Sequence, residues 1–249
     1  MIKIVLLGAG HLAFHFYEQL RSLSGVNLIQ WYSRSIEKID FAKKQLMITD
    51  RLSELVPADL YLLCVRDTAI ESVSETISPK GVVAHCAGGV PIDRIKGSSR
   101  KAVFYPLQTF TKEQHIRFDK VPFCIETTNP KDQKILNDLS QMLGGIPLHI
   151  DSEKRALIHL IAVFVNNFGN HILQLGSELS QKHQIPFDIF HPLIEETYQK
   201  AMTKGPKIAQ TGPAMRKDQE TIDKHLDLLE DENFKKLYLN LTSSIQKNT

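Results

Sequence analysis

The chain has 249 residues, 42% of them hydrophobic, which is enough for a substantial buried core and argues against a disordered protein. Its 30 lysines and arginines nearly balance its 28 aspartates and glutamates, so charge gives no reason to expect binding to nucleic acid or to a membrane. The three cysteines are far apart and form neither a C-x-x-C pair nor a zinc-binding spacing, which predicts reduced thiols in a cytoplasmic protein without a metal site.

The first elements in the chain are a strand, a glycine-rich turn and a helix. Residues 2–7 form a short run that is apolar except for Lys3, and the next six residues carry Gly8, Gly10 and Ala13 in the spacing G-x-G-x-x-A. Gly8 permits a tight turn, Gly10 lets the backbone approach a pyrophosphate, and the helix N-terminus offers N–H groups to phosphate oxygens. Because the motif directly follows a strand, it predicts a bound dinucleotide. The predicted contacts in this turn are Gly8, Gly10, His11 and Leu12.

The end of the second predicted strand, 26–32, indicates which dinucleotide binds. Sites for NAD usually place Asp or Glu there, about 20 residues past the glycines, but this chain reads Ser33-Arg34-Ser35. Arg34 can pair with a 2′-phosphate and the two serines can hydrogen-bond to it, which favours NADP. Alternatively, Arg34 is a solvated turn residue and Glu37 supplies the carboxylate. The missing acid also counts against an S-adenosylmethionine-dependent transferase.

Up to residue 150, short apolar runs alternate with helical patterns. This alternation predicts an α/β fold, a Rossmann-type doubly wound and mostly parallel sheet. The predicted strands cover 2–7, 26–32, 47–49, 60–65, 82–85, 102–105, 122–125 and 148–150. The predicted helices of this part cover 11–23, 35–45, 68–77 and 131–143.

From Asp151 the strand patterns stop and helical ones dominate. Asp151 or Ser152 can cap a long helix running towards Lys182. Its stretch 156–165 is apolar almost all round, so we expect it to be buried on several sides, by its own domain or by a second subunit. By itself this stretch is too short to span a bilayer. Three further helices are predicted, one ending near Gly205, one after Arg216 and one from about Asp231. The predicted domains are therefore 1–150, which binds the dinucleotide, and 151–249, a helical substrate and dimerisation domain.

The N-terminal half resembles the NADP-binding domains of pyrroline-carboxylate reductase, the deazaflavin-dependent NADP oxidoreductases and the 6-phosphogluconate/β-hydroxyacid dehydrogenases. The resemblance rests on the glycine motif, on Ser33-Arg34-Ser35 and on the run Leu63-Cys64-Val65-Arg66-Asp67-x-x-Ile70. In that group the end of this strand passes under the nicotinamide. The resemblance therefore implies that Val65, Arg66 and Asp67 contact the cofactor.

Nearly the whole chain is similar to a bacterial family that joins a Rossmann-like domain to a helical C-terminal domain of unknown function. The motifs that carry this similarity are His85-Cys86-Ala87-Gly88, Tyr105-Pro106-Leu107-Gln108-Thr109-Phe110, His159 with Asn166-Asn167-Phe168, Thr211–Asp218 and His225-Leu226. The similarity implies an NADP oxidoreductase whose second domain is of the 6-phosphogluconate dehydrogenase C-terminal type. His85 becomes a candidate contact for the ribose or the nicotinamide carboxamide of the cofactor.

The chain departs from the family at three places. Tyr105 stands where the family usually has His, Lys217 where it usually has Gly, and Ala87 where Ser is frequent. The change at position 105 puts an acid/base role there in doubt.

Hydride transfer to a carbonyl or imine needs a proton donor, and in the β-hydroxyacid dehydrogenases Lys and Asn on the first long helix serve the reaction. Here His159 and Asn166 are seven residues apart, two turns along one face of a regular α-helix. We expect His159 to donate the proton or bind the substrate and Asn166 to orient it, although a histidine in an apolar helix is often only a core residue. Arg216 can bind a substrate carboxylate or, alternatively, pair with Asp218 to lock a loop.

These features together predict a cytoplasmic NADP-dependent oxidoreductase, which exchanges a hydride with a small carbonyl or imine substrate. The helical domain is expected to form a homodimer. The alternative is a protein that binds NADP as a sensor or scaffold and catalyses nothing. The absence of an obvious catalytic lysine favours that alternative slightly.

Overall fold

The structure, a computed structural model, describes residues 1–77, 79–111 and 116–247. It consists of two compact units, Met1–Asn170 and His171–Thr249. The last strand ends at His149, next to the domain boundary predicted after residue 150, and the helix that follows extends the first unit to residue 170.

The first unit is built on an eight-stranded sheet in the order β3-β2-β1-β4-β5-β6-β7-β8. Neighbouring strands are parallel except for the antiparallel pair β6 and β7. The strands are β1 Ile2–Leu7, β2 Val26–Tyr32, β3 Met47–Thr49, β4 Leu60–Leu63, β5 Val82–His85, β6 Lys101–Pro106, β7 Pro122–Thr127 and β8 Ile146–His149. The predicted Rossmann-type, mostly parallel sheet is confirmed. The strand order reverses between β1 and β4, and in such sheets ligands bind beyond the carboxyl ends of the strands at that point.

Both faces of the sheet are covered, as the apolar and buried run 4–7 of β1 requires. Successive side chains of a strand point to opposite faces. Ile4 and Leu6 lie in one buried cluster with the aromatic side chain of Phe16, whereas Val5 and Leu7 lie in the other. The α-helices of this unit are α1 His11–Leu20, α2 Ile70–Thr76, α3 Pro130–Met142 and α4 Ser152–Ala162.

The predicted helix at 35–45 is wrong. The structure has two 3₁₀ turns there, Ile36–Lys38 and Asp40–Ala42. The buried residues of this connection are Ile39 and Ala42, three positions apart. Because a 3₁₀ helix has three residues per turn, this spacing places both side chains on one side of a short 3₁₀ segment.

The long helix predicted from Asp151 is confirmed, and its cap is Asp151, whose carboxylate accepts the Lys154 N–H at 2.8 Å. After α4 the helix continues through a π-helical stretch, Val163–Phe168, into α5. The expectation that 156–165 is buried on several sides is wrong for the single chain. Five of its apolar side chains are more than half exposed: Leu157, Leu160, Ile161, Phe164 and Val165. Within the described residues, the stretch Ser152–Lys182 is long and apolar enough to cross a membrane by length and composition, a test that core helices of soluble proteins also pass.

The second unit is helical, and α5 enters it at His171. Its helices are α5 Gly169–Lys182, α6 His191–Lys204, α7 Pro206–Ala209, α8 Pro213–Arg216, α9 Gln219–Leu228 and α10 Glu232–Lys247. Tyr238 and His225 join α10 to α9 through a hydroxyl–Nδ1 distance of 2.8 Å. Lys217, between α8 and α9, has a φ of 55°. This left-handed backbone explains why the similar family usually carries Gly at that position, since Gly adopts it without steric cost.

Candidate functional site

The turn after β1 depends on a close approach between two backbones. Gly8 has a φ of +117°, and a Cβ atom on it would lie 2.1 Å from the carbonyl oxygen of Cys64. Its own N–H donates to the Tyr32 carbonyl at 2.9 Å, and its carbonyl accepts the Trp31 indole N–H at 2.6 Å. Gly8 is therefore held in one conformation that a side chain would prevent.

Gly10 stands at the N-cap of α1 and differs from Gly8 in its surroundings. A Cβ atom on Gly10 would meet no described atom within 4 Å. Gly10 and the first two residues of α1, His11 and Leu12, line the open space beside this turn. The N–H groups of a helix N-terminus and the helix dipole together suit an anionic group.

The open space is a cavity of about 700 Å³ at the carboxyl ends of β1, β2, β4 and β5. Its volume is within the range of small-molecule and cofactor sites. All but one of the predicted cofactor contacts line it, namely Gly8, Gly10, His11, Leu12, Ser33, Arg34, Ser35, Val65, Arg66 and Asp67. The His11 ring is also anchored, because its Nδ1 lies 3.0 Å from the Phe110 carbonyl oxygen of the motif after β6.

At the end of β2 the cavity is lined by two cationic side chains, Arg34 and Lys38. Glu37, the alternative source of a ribose-binding carboxylate, is not among the lining residues. The Ser33 hydroxyl donates to the Ser35 carbonyl at 3.0 Å and accepts the Ser35 N–H at 3.2 Å, which shapes the turn beside Arg34. Sequence reasoning missed Lys38, because it placed this residue in a predicted helix rather than in a 3₁₀ turn beside the cavity.

At the opposite end, Cys64, Cys86 and Ala87 line the cavity, and the next residue, Gly88, is packed against two rings. A Cβ atom on Gly88 would lie 2.8 Å from His159 Nδ1 and 2.8 Å from Tyr105 Cζ. His159, on α4, thus lies next to Gly88, the residue that follows Ala87 of the cavity lining.

Tyr105, on β6, reaches the same histidine. Its hydroxyl is 3.4 Å from His159 Nδ1, and the two rings meet edge to face. Burial raises the pKa of Tyr105, and the neighbouring Cys124 and Asp67 raise it further. The hydroxyl is therefore protonated at neutral pH, so the replacement of the family's His by Tyr keeps a proton-bearing group at this position.

A buried arginine that sequence reasoning missed positions this part of α4. Arg155 is fully buried, forms an ion pair with Glu126 of β7 and donates to the Val90 carbonyl at 2.6 Å. The hydroxyl of Ser152 donates to Glu126 at 2.7 Å and accepts the Ile92 N–H at 3.1 Å. These bonds join the first turn of α4 to β7 and to the loop after β5. The sequence signal was a charge one helical turn before His159, directly ahead of the apolar stretch that begins at Ala156.

His85 is the one predicted cofactor contact that does not line the cavity. It is fully buried, and its Nδ1 accepts the Ala87 N–H at 3.2 Å. Its Nε2 has no hydrogen-bond partner among the described residues. Burial, together with the positive charge of Arg155, lowers the pKa of His85 from 6.5 to about 4, and the Pro91 carbonyl opposes this shift. His85 is therefore neutral at pH 7 and supports the loop that begins at Cys86, while a direct cofactor contact stays a prediction.

The two other predicted catalytic residues are Asn166 and Arg216. Asn166 is exposed and belongs to the π-helical stretch, whose wider turns rotate it relative to His159, so the argument from a regular α-helix does not hold. Arg216 is in the second unit, with a guanidinium nitrogen 3.9 Å from Asp218. That carboxylate also caps α9 by accepting the Thr221 N–H at 3.1 Å. A role in substrate binding stays a prediction for Asn166 and Arg216. Within the described residues, no group of three or more His, Cys, Asp or Glu could hold a metal ion.

Comparisons with known proteins agree with the fold described above. Residues 121–245, half of the chain, match the family described as "Domain of unknown function (DUF2520)". A crystal structure from Bacteroides fragilis, provisionally described as an NADP oxidoreductase, is 37% identical over 99% of this chain and 98% of its own, with a TM-score of 0.89. No curated protein matches the sequence significantly.

More distant structures share the fold. A protein of Thermotoga maritima is 20% identical over 98% of this chain and 97% of its own, with a TM-score of 0.73. Pyrroline carboxylate reductase of Plasmodium falciparum, solved with NADP bound, is 15% identical over 99% and 96%, with a TM-score of 0.63. The likeness to pyrroline-carboxylate reductase expected from the sequence is confirmed at the level of the fold.

The buried His85 makes stability depend on pH. Because its pKa in the folded protein is about 4, below the ordinary 6.5, the unfolded chain binds a proton between these values that the folded chain does not. Neutral His85 therefore makes its full contribution to the free energy of unfolding above pH 6.5. This contribution is lost as the pH falls towards 4. We expect His85→Gln to reduce the difference in unfolding free energy between pH 8 and pH 5 by about 2 kcal/mol, measured by urea denaturation. His183→Gln, an exposed histidine, is the matched control, and equal pH dependence of wild type and His85→Gln would contradict the assignment.

Proposed function

The chain belongs to the DUF2520 family, and from that premise we propose that it is an NADP-dependent oxidoreductase that transfers a hydride between NADP(H) and a small carbonyl or imine substrate. The observation that carries this proposal is the cavity beside the Gly8 turn, which has Arg34 and Lys38 where NAD sites place a carboxylate. The Rossmann fold shared with oxidoreductases supports it.

The residues present fit NADP. The open space at Gly10 and the N-terminus of α1 suit the pyrophosphate. Arg34 and Lys38 suit the 2′-phosphate, with the Ser33–Ser35 turn holding Arg34 at the cavity. Val65, Arg66 and Asp67, after β4, line the same cavity and would hold the nicotinamide, the group that would supply or accept the hydride.

His159 and Tyr105 are the proposed proton donors. Reduction of a carbonyl or imine needs a proton at the oxygen or nitrogen on which negative charge develops. Tyr105, with its raised pKa, holds a proton at neutral pH, and His159 Nδ1 lies within 3.4 Å of its hydroxyl. In this assignment Arg155 acts as a positioning residue, because it fixes α4 one turn before His159.

We also propose that the protein is a homodimer formed through its helices. Five apolar side chains of the stretch 157–165 are more than half exposed in the single chain. In the described part of the second unit, the buried apolar residues are only Ala214 and Ile222, whereas exposed ones include Ile189, Leu193 and Met202. Helices this apolar bury their faces against a partner in aqueous solution. We also propose that the protein is cytoplasmic.

Arg34→Asp should exchange the cofactor preference. The substitution removes the guanidinium proposed to bind the 2′-phosphate and supplies a carboxylate for the ribose hydroxyls. We expect the affinity for NADPH to fall at least tenfold, about 1.4 kcal/mol, while the affinity for NADH holds or rises, as measured by fluorescence titration. Arg21→Asp, on the outer end of α1, is the control that changes charge equally and should leave both affinities within twofold of wild type. An unchanged ratio of the two affinities in Arg34→Asp would refute the phosphate-binding role.

His159→Ala should separate an enzyme from a sensor. We expect NADPH binding to stay within about twofold of wild type while turnover of a carbonyl and imine panel falls about 100-fold, the usual contribution of a general acid. His183→Ala, an exposed histidine of the second unit, should retain full turnover. If the wild-type protein binds NADPH but turns over no member of a broad panel, the non-catalytic sensor is the correct assignment.

Leu160→Asp with Phe164→Asp should dissociate the homodimer, because the two residues are one turn apart on the exposed apolar helix. Sedimentation velocity is expected to give a dimer for wild type and a monomer for the double variant. Met47→Asp, an equally exposed apolar residue on β3, should remain dimeric. A monomeric wild type would overturn the proposal, and a monomer that sediments with phospholipid vesicles would assign the apolar helix to a membrane instead.

A further inference from the structure

We propose that Cys64 and Cys86 form a dithiol modification site inside the dinucleotide cavity, which peroxides convert to a disulfide that weakens dinucleotide binding. The weakening of dinucleotide binding rests on the proposed binding of NADP, whereas the formation of the disulfide does not.

The backbone places the two cysteines side by side. Leu63 of β4 pairs in register with His85 of β5, so Cys64 and Cys86 are the next pair beyond the strand ends. The ladder continues to them, because the Cys86 N–H donates to the Leu63 carbonyl at 3.3 Å. Side chains paired in this way point to the same face of a sheet, with Cα atoms about 4.8 Å apart. This separation is within the range that a disulfide requires.

The side chains already face each other. The Cys64 thiol donates to the Cys86 sulfur, with the two sulfur atoms 3.7 Å apart. A disulfide bond of about 2.05 Å can form from this arrangement by side-chain rotation, without a change in strand register.

The cavity gives a small oxidant access to this pair. Both cysteines line it, and Cys64 is partly exposed. The third cysteine, Cys124, is fully buried in β7 and is not among the lining residues. It therefore provides an internal comparison for any effect of general thiol oxidation.

The oxidation proceeds in two steps. Burial raises the pKa of Cys64 well above its usual value, and the hydrogen bond with Cys86 raises it further. One thiol of the pair loses its proton and its sulfur attacks one oxygen of the peroxide; the O–O bond breaks, and an alkoxide or hydroxide leaves and takes up that proton. The other thiol then attacks the sulfur of the resulting sulfenic acid and releases water. Two electrons pass from the two thiols to the peroxide, and with hydrogen peroxide the products are one disulfide and two molecules of water.

The disulfide changes the lining on which the dinucleotide turn rests. Gly8 packs against the carbonyl oxygen of Cys64. The N–H of Cys64 donates to the Leu7 carbonyl at 2.7 Å. Cys86 leads through Ala87, which also lines the cavity, to Gly88, which lies close to His159. Drawing the two sulfur atoms together therefore acts on both sides of the cavity. By thermodynamic linkage, bound dinucleotide must oppose the oxidation to the same degree.

The test uses the full-length reduced protein and hydrogen peroxide. We expect thiol titration of the denatured protein to fall from three thiols to one, with a mass loss of about 2 Da and a peptide linking Cys64 to Cys86. Fluorescence titration should show NADPH binding at least tenfold weaker after oxidation, restored by dithiothreitol, and saturating NADPH should slow the oxidation. Cys124→Ser should respond like wild type, while Cys64→Ser and Cys86→Ser should form no intramolecular disulfide.

The possible results distinguish a failure of the modification site from a failure of the proposed function. Three free thiols after peroxide treatment, or a disulfide that includes Cys124, would overturn the modification site. A Cys64–Cys86 disulfide with unchanged NADPH affinity would overturn its effect on binding. A reduced wild-type protein that binds no NADPH would refute the proposed function, while the thiol titration would still decide whether the disulfide forms.

Discussion

The contact between Gly8 and the Cys64 carbonyl is the constraint on which the candidate site depends. Because Gly8 has no side chain, the turn after β1 can lie against the end of β4, and the helix that follows can open towards the cavity. Cys64 in turn contacts Cys86, and Cys86 begins the loop that carries Gly88 to His159. A series of close contacts thus joins the Gly8 turn to the proposed proton donors.

The second constraint is the buried ion pair between Arg155 and Glu126. It holds the first turn of α4 against β7 and the loop after β5, and His159 follows one turn later. Removing one partner of such a pair leaves a buried charge uncompensated, which costs about 3–5 kcal/mol. The same charge disfavours protonation of His85. Arg155 therefore ties the turn of α4 before His159 to the first unit's sheet and loop, and its charge adds to the burial that keeps His85 neutral.

Sequence patterns predicted the sheet well, because strand identity in a doubly covered sheet is a local property. A run such as Leu60–Leu63 is apolar on both sides, which only a fully buried strand requires. The glycine motif was equally reliable, since the positive φ of Gly8 excludes other residues there. The prediction was wrong at 35–45, where burial of Ile39 and Ala42 against the sheet outweighed helix propensity. The π-helical stretch was also not predicted from the sequence, because it alters the angle between successive side chains without altering the apolar pattern.

The sequence by itself determined the fold class, the dinucleotide turn and the cationic end of β2, because each follows from residues that are neighbours along the chain. Only the tertiary structure decided that Lys38 lines the cavity, that Cys64 meets Cys86 and that Tyr105 reaches His159. These pairs come from different strands and helices, and their distances depend on strand order and register. It likewise decided that the apolar face of α4 is exposed in one chain, because hydropathy records the tendency of a side chain to be buried but not which surface covers it.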